Sequence, residues 1–228
     1  MHIEPLDIDD RACLYSTMNN ASLIGAYALN GPEDCRRLYA EWAQTYDAEF
    51  AATMAYRLPV EVAAAYLRAD PAPGDVLDVG AGTGLLGAAL RGMGFTGAID
   101  AVDLSTEMLN RAKAKGLYRD LIEADITKSI PHKTRYAGIV SSGTFTQGHV
   151  GPEALRPLIA CAKPGALFVL SVNQAIWNRR GFQAAFDALH AEIAQLSLDA
   201  VPIYGEAAKD TDPDHAADRA LVVSFRVK

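Results

Sequence analysis

The 228-residue sequence predicts a single α/β domain built on a doubly wound, mostly parallel sheet. Three observations support this fold class. Short apolar strands alternate with helical patterns from residue 76 onward, a glycine-rich turn follows the first strand, and 50% of the residues are hydrophobic, which is enough for a buried core. In such sheets the ligand binds beyond the carboxyl ends of the strands, so we expect the functional site there.

Residues 1–72 are predicted to form a helical extension before this core. An apolar and aromatic stripe with helical spacing predicts one helix over Glu33–Phe50. A second helix, Pro59–Arg68, has proline in its first turn, where the missing N–H costs nothing. The apolar segment Tyr15–Leu29 is interpreted as a lid over the ligand site.

Residues 73–228 are predicted to form the core domain. Its strands are short apolar runs bounded by turn residues, and we place them at Val76–Val79, Ala98–Val102, Leu121–Ala124, Ala137–Ser141, Ala166–Val172, Ala200–Ile203 and Ala220–Val227. Helical patterns lie between them, at Gly84–Gly92, Ser105–Lys115, Glu153–Cys161 and Gly181–Leu196. Ser105 is expected to cap its helix, and the last two strands to pair as an antiparallel edge.

A glycine-rich turn, VLDVGAGTGLLG, spans residues 76–87 and fits two motifs. One is an acidic strand end with alternating glycines, Asp78-x-Gly80-x-Gly82-x-Gly84, and the other is the dinucleotide fingerprint Gly82-x-Gly84-x-x-Gly87. Either would bring a ligand close to the backbone, because glycine permits positive φ and the next helix offers free amides. Asp78 favours the first motif, since a carboxylate repels a pyrophosphate but holds an ammonium directly or through water.

Two more acidic residues follow predicted strands. Asp103 comes about 20 positions after the glycine turn, which suits ribose hydroxyls in both candidate ligands. Asp125 would accept a hydrogen bond from an adenine amine, and the Ile126 amide would donate to a ring nitrogen. Asp125 alone would fit a capping role as well; its position after Asp78 and Asp103 favours the ligand role.

The ordered motifs Asp78-x-Gly80-x-Gly82-x-Gly84, Asp103-Leu-Ser-x-x-Met108-Leu and Asp125 resemble those of class I S-adenosylmethionine-dependent methyltransferases, over roughly residues 38–227. The stretches Trp42-Ala-Gln-Thr-Tyr46-Asp and Ser142-Gly-Thr-Phe-Thr-Gln-Gly148-His-Val further resemble the methyltransferase-like proteins first named from the Williams–Beuren syndrome region. The resemblance implies a Rossmann-like methyltransferase fold with seven strands, the last of them antiparallel, and an N-terminal helical lid. It also implies S-adenosyl-L-methionine as cofactor and S-adenosyl-L-homocysteine as product.

The same resemblance implies a cofactor site, position by position. The residues expected around the methionine part of the cofactor are Tyr46, Asp78, Gly80, Ala81, Gly82 and Gly84. Those expected around the adenosine are Asp103, Leu104, Met108, Asp125 and Ile126, and those beside the transferred methyl are Ser141, Ser142 and Gly143. The sequence departs from the family at Tyr136-Ala137-Gly138, where relatives often have an aromatic residue and Asp, so local packing should differ.

The acceptor side needs little dedicated chemistry, because a sulfonium methyl is already activated. The chain must mainly hold the nucleophile in line, about 3 Å from the methyl, and exclude water. A base is needed only for an acceptor that must lose a proton, and His149 is the first candidate, ahead of Tyr46 and Tyr15. The alternative for His149 is a loop histidine bonded to backbone. Tyr15, Trp42 and Phe145 would wall the acceptor pocket, with a core role as the alternative for Trp42.

Charge and missing motifs narrow the acceptor. The net charge of −7 argues against a nucleic-acid partner and against an anionic membrane surface. The sequence has no Asn-Pro-Pro-aromatic or Pro-Cys motif of the base methyltransferases, no glutamate pair of the arginine methyltransferases and no carboxylate-Asn magnesium site of the catechol type. A small-molecule acceptor and no metal are therefore expected.

Three cysteines lie far apart, which predicts a cytoplasmic protein without disulfides. The chain is expected to be a monomer or a homodimer. Two alternatives to a methyltransferase stay open at this point, a nicotinamide-dependent oxidoreductase and a non-catalytic module that binds S-adenosylmethionine.

Overall fold

The computed structural model describes residues 32–131 and 135–228. Seven strands form one sheet in the order β3-β2-β1-β4-β5-β7-β6. They are β1 (Val76–Val79), β2 (Ile99–Asp103), β3 (Asp120–Glu123), β4 (Tyr136–Phe145), β5 (Ala162–Asn173), β6 (Ile193–Pro202) and β7 (Arg219–Val227). All neighbouring strands are parallel except at β7, which is antiparallel to β5 and to β6. The predicted mostly parallel sheet with an antiparallel last strand is confirmed.

Helices cover both faces of this sheet. They are α1 (Pro32–Trp42), a π-helix (Tyr46–Ala51), α2 (Leu58–Arg68), α3 (Leu85–Gly92), α4 (Thr106–Ala114), α5 (Leu155–Ala160), α6 (Phe182–Ala188) and α7 (Ala208–Thr211), with 3₁₀ turns at Pro152–Ala154 and Gln174–Ile176. The strand order reverses between β1 and β4, and the crevice at that reversal is where ligands bind in such folds. The proposed lid, Tyr15–Leu29, lies outside the described residues.

The predicted helix Glu33–Phe50 is wrong in its second half. The α-helix ends at Trp42, and a π-helix follows after three residues. Its wider turn keeps Tyr46 and Phe50 on the side of Trp42, with ring centroids 5.1 and 5.0 Å from the indole. The aromatic stripe was therefore a correct sign of shared packing and a wrong sign of one continuous helix.

The predicted helix Gly181–Leu196 is also wrong at its end. Helix α6 ends at Ala188, and β6 begins at Ile193. Buried apolar residues continue at helical spacing across the turn, namely Phe182, Phe186, Leu189 and Ile193. β6 is an edge strand whose residues are mostly exposed. Residues 195–200, QLSLDA, alternate polar and apolar as a strand does, but the helical spacing of the apolar residues before them masked this signal. The pattern Glu153–Cys161 likewise divides into a 3₁₀ turn and α5.

The glycine near the start of β4 makes room for a side chain from α2. Tyr66 of α2 lies over Gly138 of β4, and a Cβ at position 138 would overlap the Tyr66 hydroxyl. The ring is buried against a core that includes Val62, Val76 and Val140. A larger residue at position 138 would displace this tyrosine from the sheet.

Candidate functional site

A cavity of about 620 Å³ opens at the carboxyl ends of β1, β2, β3 and β4. Twelve of the predicted site residues line it: Tyr46, Gly80, Ala81, Gly82, Asp103, Leu104, Met108, Asp125, Ile126, Ser142, Gly143 and His149. Three do not line it: Asp78, Gly84 and Ser141. We call the side formed by residues 80–83, 103–104 and 125–126 the loop wall, and the side formed by Tyr39, Tyr46, Tyr56 and His149 the aromatic wall.

The glycine turn between β1 and α3 forms the centre of the loop wall. Gly80 and Gly82 have φ values of 63° and 54°, which residues other than glycine rarely adopt. A Cβ at Gly80 would overlap the Thr144 side chain, whereas a Cβ at Gly82 would meet no protein atom within 4 Å. The open space beside Gly82 is thus a cradle in which a ligand can approach the backbone.

Asp103 is held in the loop wall by backbone amides. Gly82 N–H donates to its Oδ2 at 2.8 Å, and Ser105 N–H donates to its Oδ1 at 2.9 Å. Burial raises the pKa of Asp103, and these amides oppose the shift because they stabilise the charged form. A carboxylate has about four acceptor sites, so Asp103 can still accept a hydrogen bond from a ligand hydroxyl.

Asp125 has local partners as well as a place in the cavity. Its Oδ1 accepts from the amide and the hydroxyl of Thr127, at 3.0 and 2.6 Å, and its Oδ2 is 3.0 Å from Lys128 Nζ. Burial acts to raise the pKa of Asp125, but the Thr127 hydrogen bonds and Lys128 outweigh it and lower the pKa. The capping role that the sequence left open is therefore present, alongside the exposure to the cavity.

Asp78 lies behind the glycine turn instead of facing the cavity. Only 1% of it is exposed, and its Oδ2 accepts a hydrogen bond from Tyr118 at 2.7 Å. Its Oδ1 has no hydrogen-bond partner among the residues that the structure describes. Burial raises the pKa of Asp78 to about 7. This geometry corrects the expectation of direct contact between Asp78 and a ligand's ammonium, whereas a contact through water stays a prediction. Nothing in the sequence motifs indicated Tyr118 as the partner of Asp78.

Gly84 and Gly87, which complete the dinucleotide-like motif, face Tyr118 and not the cavity. A Cβ at Gly87 would overlap the Tyr118 hydroxyl, and one at Gly84 would lie 3.0 Å from the ring. Ser141 is also buried behind the wall, where its hydroxyl donates to the Val79 carbonyl at 2.7 Å and ties β4 to β1. These residues shape the site without lining it.

His149 and Tyr39 form a pair on the aromatic wall. Gln147 offers a carbonyl 2.8 Å from His149 Nδ1, so that nitrogen carries the proton. The other nitrogen, Nε2, is 2.9 Å from the Tyr39 hydroxyl and accepts its hydrogen bond. Burial lowers the pKa of His149 below its ordinary 6.5, which keeps the ring neutral at pH 7. The predicted backbone contact is thus present, and the Tyr39 partner was missed because 110 residues separate the two.

Behind this pair lies an aromatic cluster with a narrow recess of about 40 Å³. Trp42 and Phe145, which were predicted to wall the acceptor pocket, line this recess and not the main cavity. The recess and the main cavity share five lining residues, Tyr39, Tyr46, Tyr56, Gly143 and His149. Trp42 is 3% exposed and packs in the core beside the site, which agrees with the core role given as its alternative. Tyr15 lies outside the described residues.

Asp47 joins the two walls. It accepts a hydrogen bond from the Thr83 hydroxyl in the glycine turn, at 2.5 Å, and forms an ion pair with Lys115 at 2.7 Å. Because Asp47 follows Tyr46 in the π-helix, these contacts hold the aromatic wall against the loop wall. The sequence motif contained this residue without indicating its role.

Residues 32–131 and 135–228 lack two features that other functional classes would need. No group of three or more His, Cys, Asp or Glu side chains in that part could hold a metal ion. No helix there has the length and apolar character that a bilayer span requires.

A family model described as a methyltransferase domain matches residues 50–200. Human methyltransferase-like protein 27 is 32% identical over 160 residues, which are 66% of this chain and 64% of the human protein. The match therefore spans less than two thirds of that relative.

Solved structures share the fold at lower identity. The DhpI–SAH complex has a TM-score of 0.58 at 19% identity, covering 86% of this chain and 96% of that one. A Thermotoga maritima methyltransferase described as a possible histamine N-methyltransferase also has a TM-score of 0.58, at 12% identity, covering 85% and 99%. A family model that matches residues 50–200, on a sheet of this topology, decides the assignment. The chain belongs to the class I S-adenosylmethionine-dependent methyltransferases.

Proposed function

We propose that the chain transfers a methyl group from S-adenosylmethionine to a small-molecule acceptor. The observation that supports this best is one cavity with two unlike walls, a backbone cradle on one side and the Tyr39–His149 pair on the other. Its volume of about 620 Å³ lies within the usual range for small ligands, roughly 300–1,000 Å³. A cofactor and a compact acceptor would both have to fit inside it.

The residues of the loop wall fit the cofactor by their chemistry. The open space beside Gly82 suits the amino-acid end, and the free lone pairs of Asp103 suit the ribose hydroxyls. Leu104 and Met108 offer apolar surface to the adenine, while Asp125 and the Ile126 amide stand at its edge. We assign Ser142 and Gly143 to the region of the methyl group and Tyr46 to the cofactor's carboxylate. Asp78, Gly84 and Ser141 act indirectly, by shaping the turn.

When bound, the cofactor supplies a methyl group already activated on a sulfonium. The chain then has to hold the acceptor in line with that methyl and exclude water, and the aromatic wall provides a largely apolar surface for both tasks. These demands need no metal ion, because the leaving thioether is neutral.

We propose that His149 is the catalytic base and that Tyr39 connects it to the acceptor. As the acceptor's oxygen or nitrogen bonds to the methyl, its proton passes to Tyr39 Oη, and the Tyr39 proton passes to His149 Nε2. The products are the methylated acceptor, the neutral thioether and an imidazolium. Because Nδ1 is fixed by the Gln147 carbonyl, the accepting nitrogen is already aimed at Tyr39.

Calorimetric titration with S-adenosylhomocysteine and, separately, with NAD tests the cofactor. Binding of the first alone is expected, and binding of NAD alone would overturn the proposal. Labelled S-adenosylmethionine incubated with a metabolite extract then tests catalysis. Label in a small molecule supports transfer, whereas cofactor binding without label in any metabolite would favour the non-catalytic module. We also propose a cytoplasmic location, because the widely spaced cysteines fit a reducing compartment. The proposed assembly is a monomer or a homodimer.

A further inference from the structure

Tyr118 takes no part in the proposed proton transfer between the acceptor, Tyr39 and His149. It lies in the connection between α4 and β3, and its ring contacts the turn between β1 and α3 from behind. The carbonyl of the preceding residue, Leu117, accepts a hydrogen bond from Arg91 of α3 at 3.2 Å. The segment that carries Tyr118 is thereby tied to the same helix that the glycine turn begins.

The glycine pattern makes room for this ring. Gly87 has an ordinary φ, so the backbone itself would accept a side chain there, yet a Cβ would overlap the Tyr118 hydroxyl. Gly84 combines a positive φ of 89° with a Cβ position 3.0 Å from the ring. Gly82 differs from both, since its Cβ side is open to the cavity. Two of the three fingerprint glycines are therefore explained by Tyr118.

The hydroxyl of Tyr118 has a specific task. It donates to Asp78 Oδ2 at 2.7 Å, and the other oxygen of that buried carboxylate has no partner among the described residues. A buried carboxylate that loses its donor carries a large desolvation cost. Asp78 is also two residues before Gly80, so a displacement of Asp78 moves the start of the turn.

We propose that Tyr118 is a positioning residue for cofactor binding, which acts through Asp78 and the backbone of the glycine turn. The inference rests on the proposed function, because it assigns the cofactor to the loop wall. The turn lacks one local support, since α3 begins at Leu85 and its N-cap residue, Gly84, has no side chain to cap the helix. A capping side chain would restrain the glycine turn at the start of α3. In its absence, Tyr118 and Asp78 restrain the turn from the side that faces away from the cavity.

The first test compares two tyrosine variants. Tyr118→Phe removes one oxygen and keeps the ring against Gly84 and Gly87. Tyr66→Phe is the matched control, because Tyr66 is also buried over a sheet-side glycine, Gly138, but lies away from the cavity. We expect Tyr118→Phe to weaken S-adenosylhomocysteine binding about tenfold in calorimetry, and Tyr66→Phe to change it by less than about twofold. Equal affinities for Tyr118→Phe and wild type would overturn the inference, as would equal losses in both variants.

The second test separates positioning from general damage to the fold. If Tyr118 acts through Asp78, the Asp78→Asn/Tyr118→Phe double variant should bind no more weakly than Tyr118→Phe alone, since the carboxylate that needs the donor is gone. Additive losses in binding would contradict the mechanism. Wild-type protein that binds no S-adenosylhomocysteine would instead overturn the proposed function, so the two failures are distinguishable.

Discussion

The two walls of the cavity are built in different ways. The loop wall consists of backbone and of short acidic side chains at strand ends, and its parts lie within residues 80–126. The aromatic wall brings Tyr39, Tyr46 and Tyr56 together with His149, which lies 110 positions after Tyr39, and the recess behind it adds Tyr204. The first is fixed by local backbone geometry and the second only by the packing of distant segments. In the proposed function, the loop wall binds the cofactor, and the aromatic wall, apart from Tyr46, contacts the acceptor.

The largest effect should come from breaking the aromatic wall. We expect His149→Gln to lower kcat for the methylated acceptor about 100-fold while S-adenosylhomocysteine binding changes less than about threefold. Tyr39→Phe should cause a similar loss, and the double variant little more, because the two act as one unit. Steady-state kinetics with the acceptor found in the extract measures this. A loss of cofactor affinity equal to the loss of kcat would contradict the division between walls.

The pH profile sharpens the same prediction. Since burial lowers the pKa of His149 below 6.5, the acidic limb of kcat should fall below that pH. The limb should disappear in His149→Gln.

The next effect should come from the loop wall. Asp103→Ala removes the acceptor of the Gly82 and Ser105 amides together with the group proposed for the ribose. We expect S-adenosylhomocysteine affinity to fall about 30-fold, which is about 2 kcal/mol. Asp120→Ala is the control, because Asp120 is exposed at the start of β3 and away from the cavity. Unchanged affinity for Asp103→Ala in calorimetry would contradict the role of this wall.

A smaller effect concerns the support behind the loop wall. The pKa of Asp78 is raised from 3.8 to about 7 in the folded protein, by burial first and with Asp103 adding to it. The folded state therefore binds the proton more tightly, and this contribution to stability is lost as pH rises from about 4 through about 7. The free energy of unfolding should fall by up to about 1.4 kcal/mol per pH unit in that window. Urea denaturation should show a flatter pH dependence for Asp78→Asn, and an unchanged dependence would contradict the assignment.

The smallest effect on cofactor affinity is expected at Ser105. Its substitution tests whether the loop wall depends on the Ser105 backbone amide or on the Ser105 hydroxyl. The Ser105 hydroxyl caps α4 by accepting from the Met108 amide at 3.2 Å, while its own amide holds Asp103. Ser105→Ala should lower the free energy of unfolding by about 1 kcal/mol and leave S-adenosylhomocysteine affinity within about twofold. A large loss of affinity would show that the side chain itself shapes the wall.

The sequence predicts local features of this protein well and distant ones poorly. The glycine turn, the acidic strand ends and the Ser105 cap depend on a few adjacent residues, and the structure places all of them at or beside the cavity. The direction of Asp78 could not be predicted, because it is decided by Tyr118, 40 residues further on. The Tyr39–His149 pair joins two residues that are 110 positions apart in the sequence, so no local pattern could indicate it. The end of α6 was predicted wrongly for another reason: Leu189 and Ile193 continue the helical spacing of apolar residues across a turn.

Tyr204 connects the recess to a segment late in the chain. It lies between β6 and α7, and its ring reaches Phe50 and Tyr56 at centroid distances of 6.1 Å. The surroundings of the recess thus draw on segments before the first strand of the sheet and after the sixth. Substitutions in these flanking segments would therefore reshape the recess while the residues of the loop wall stay unchanged.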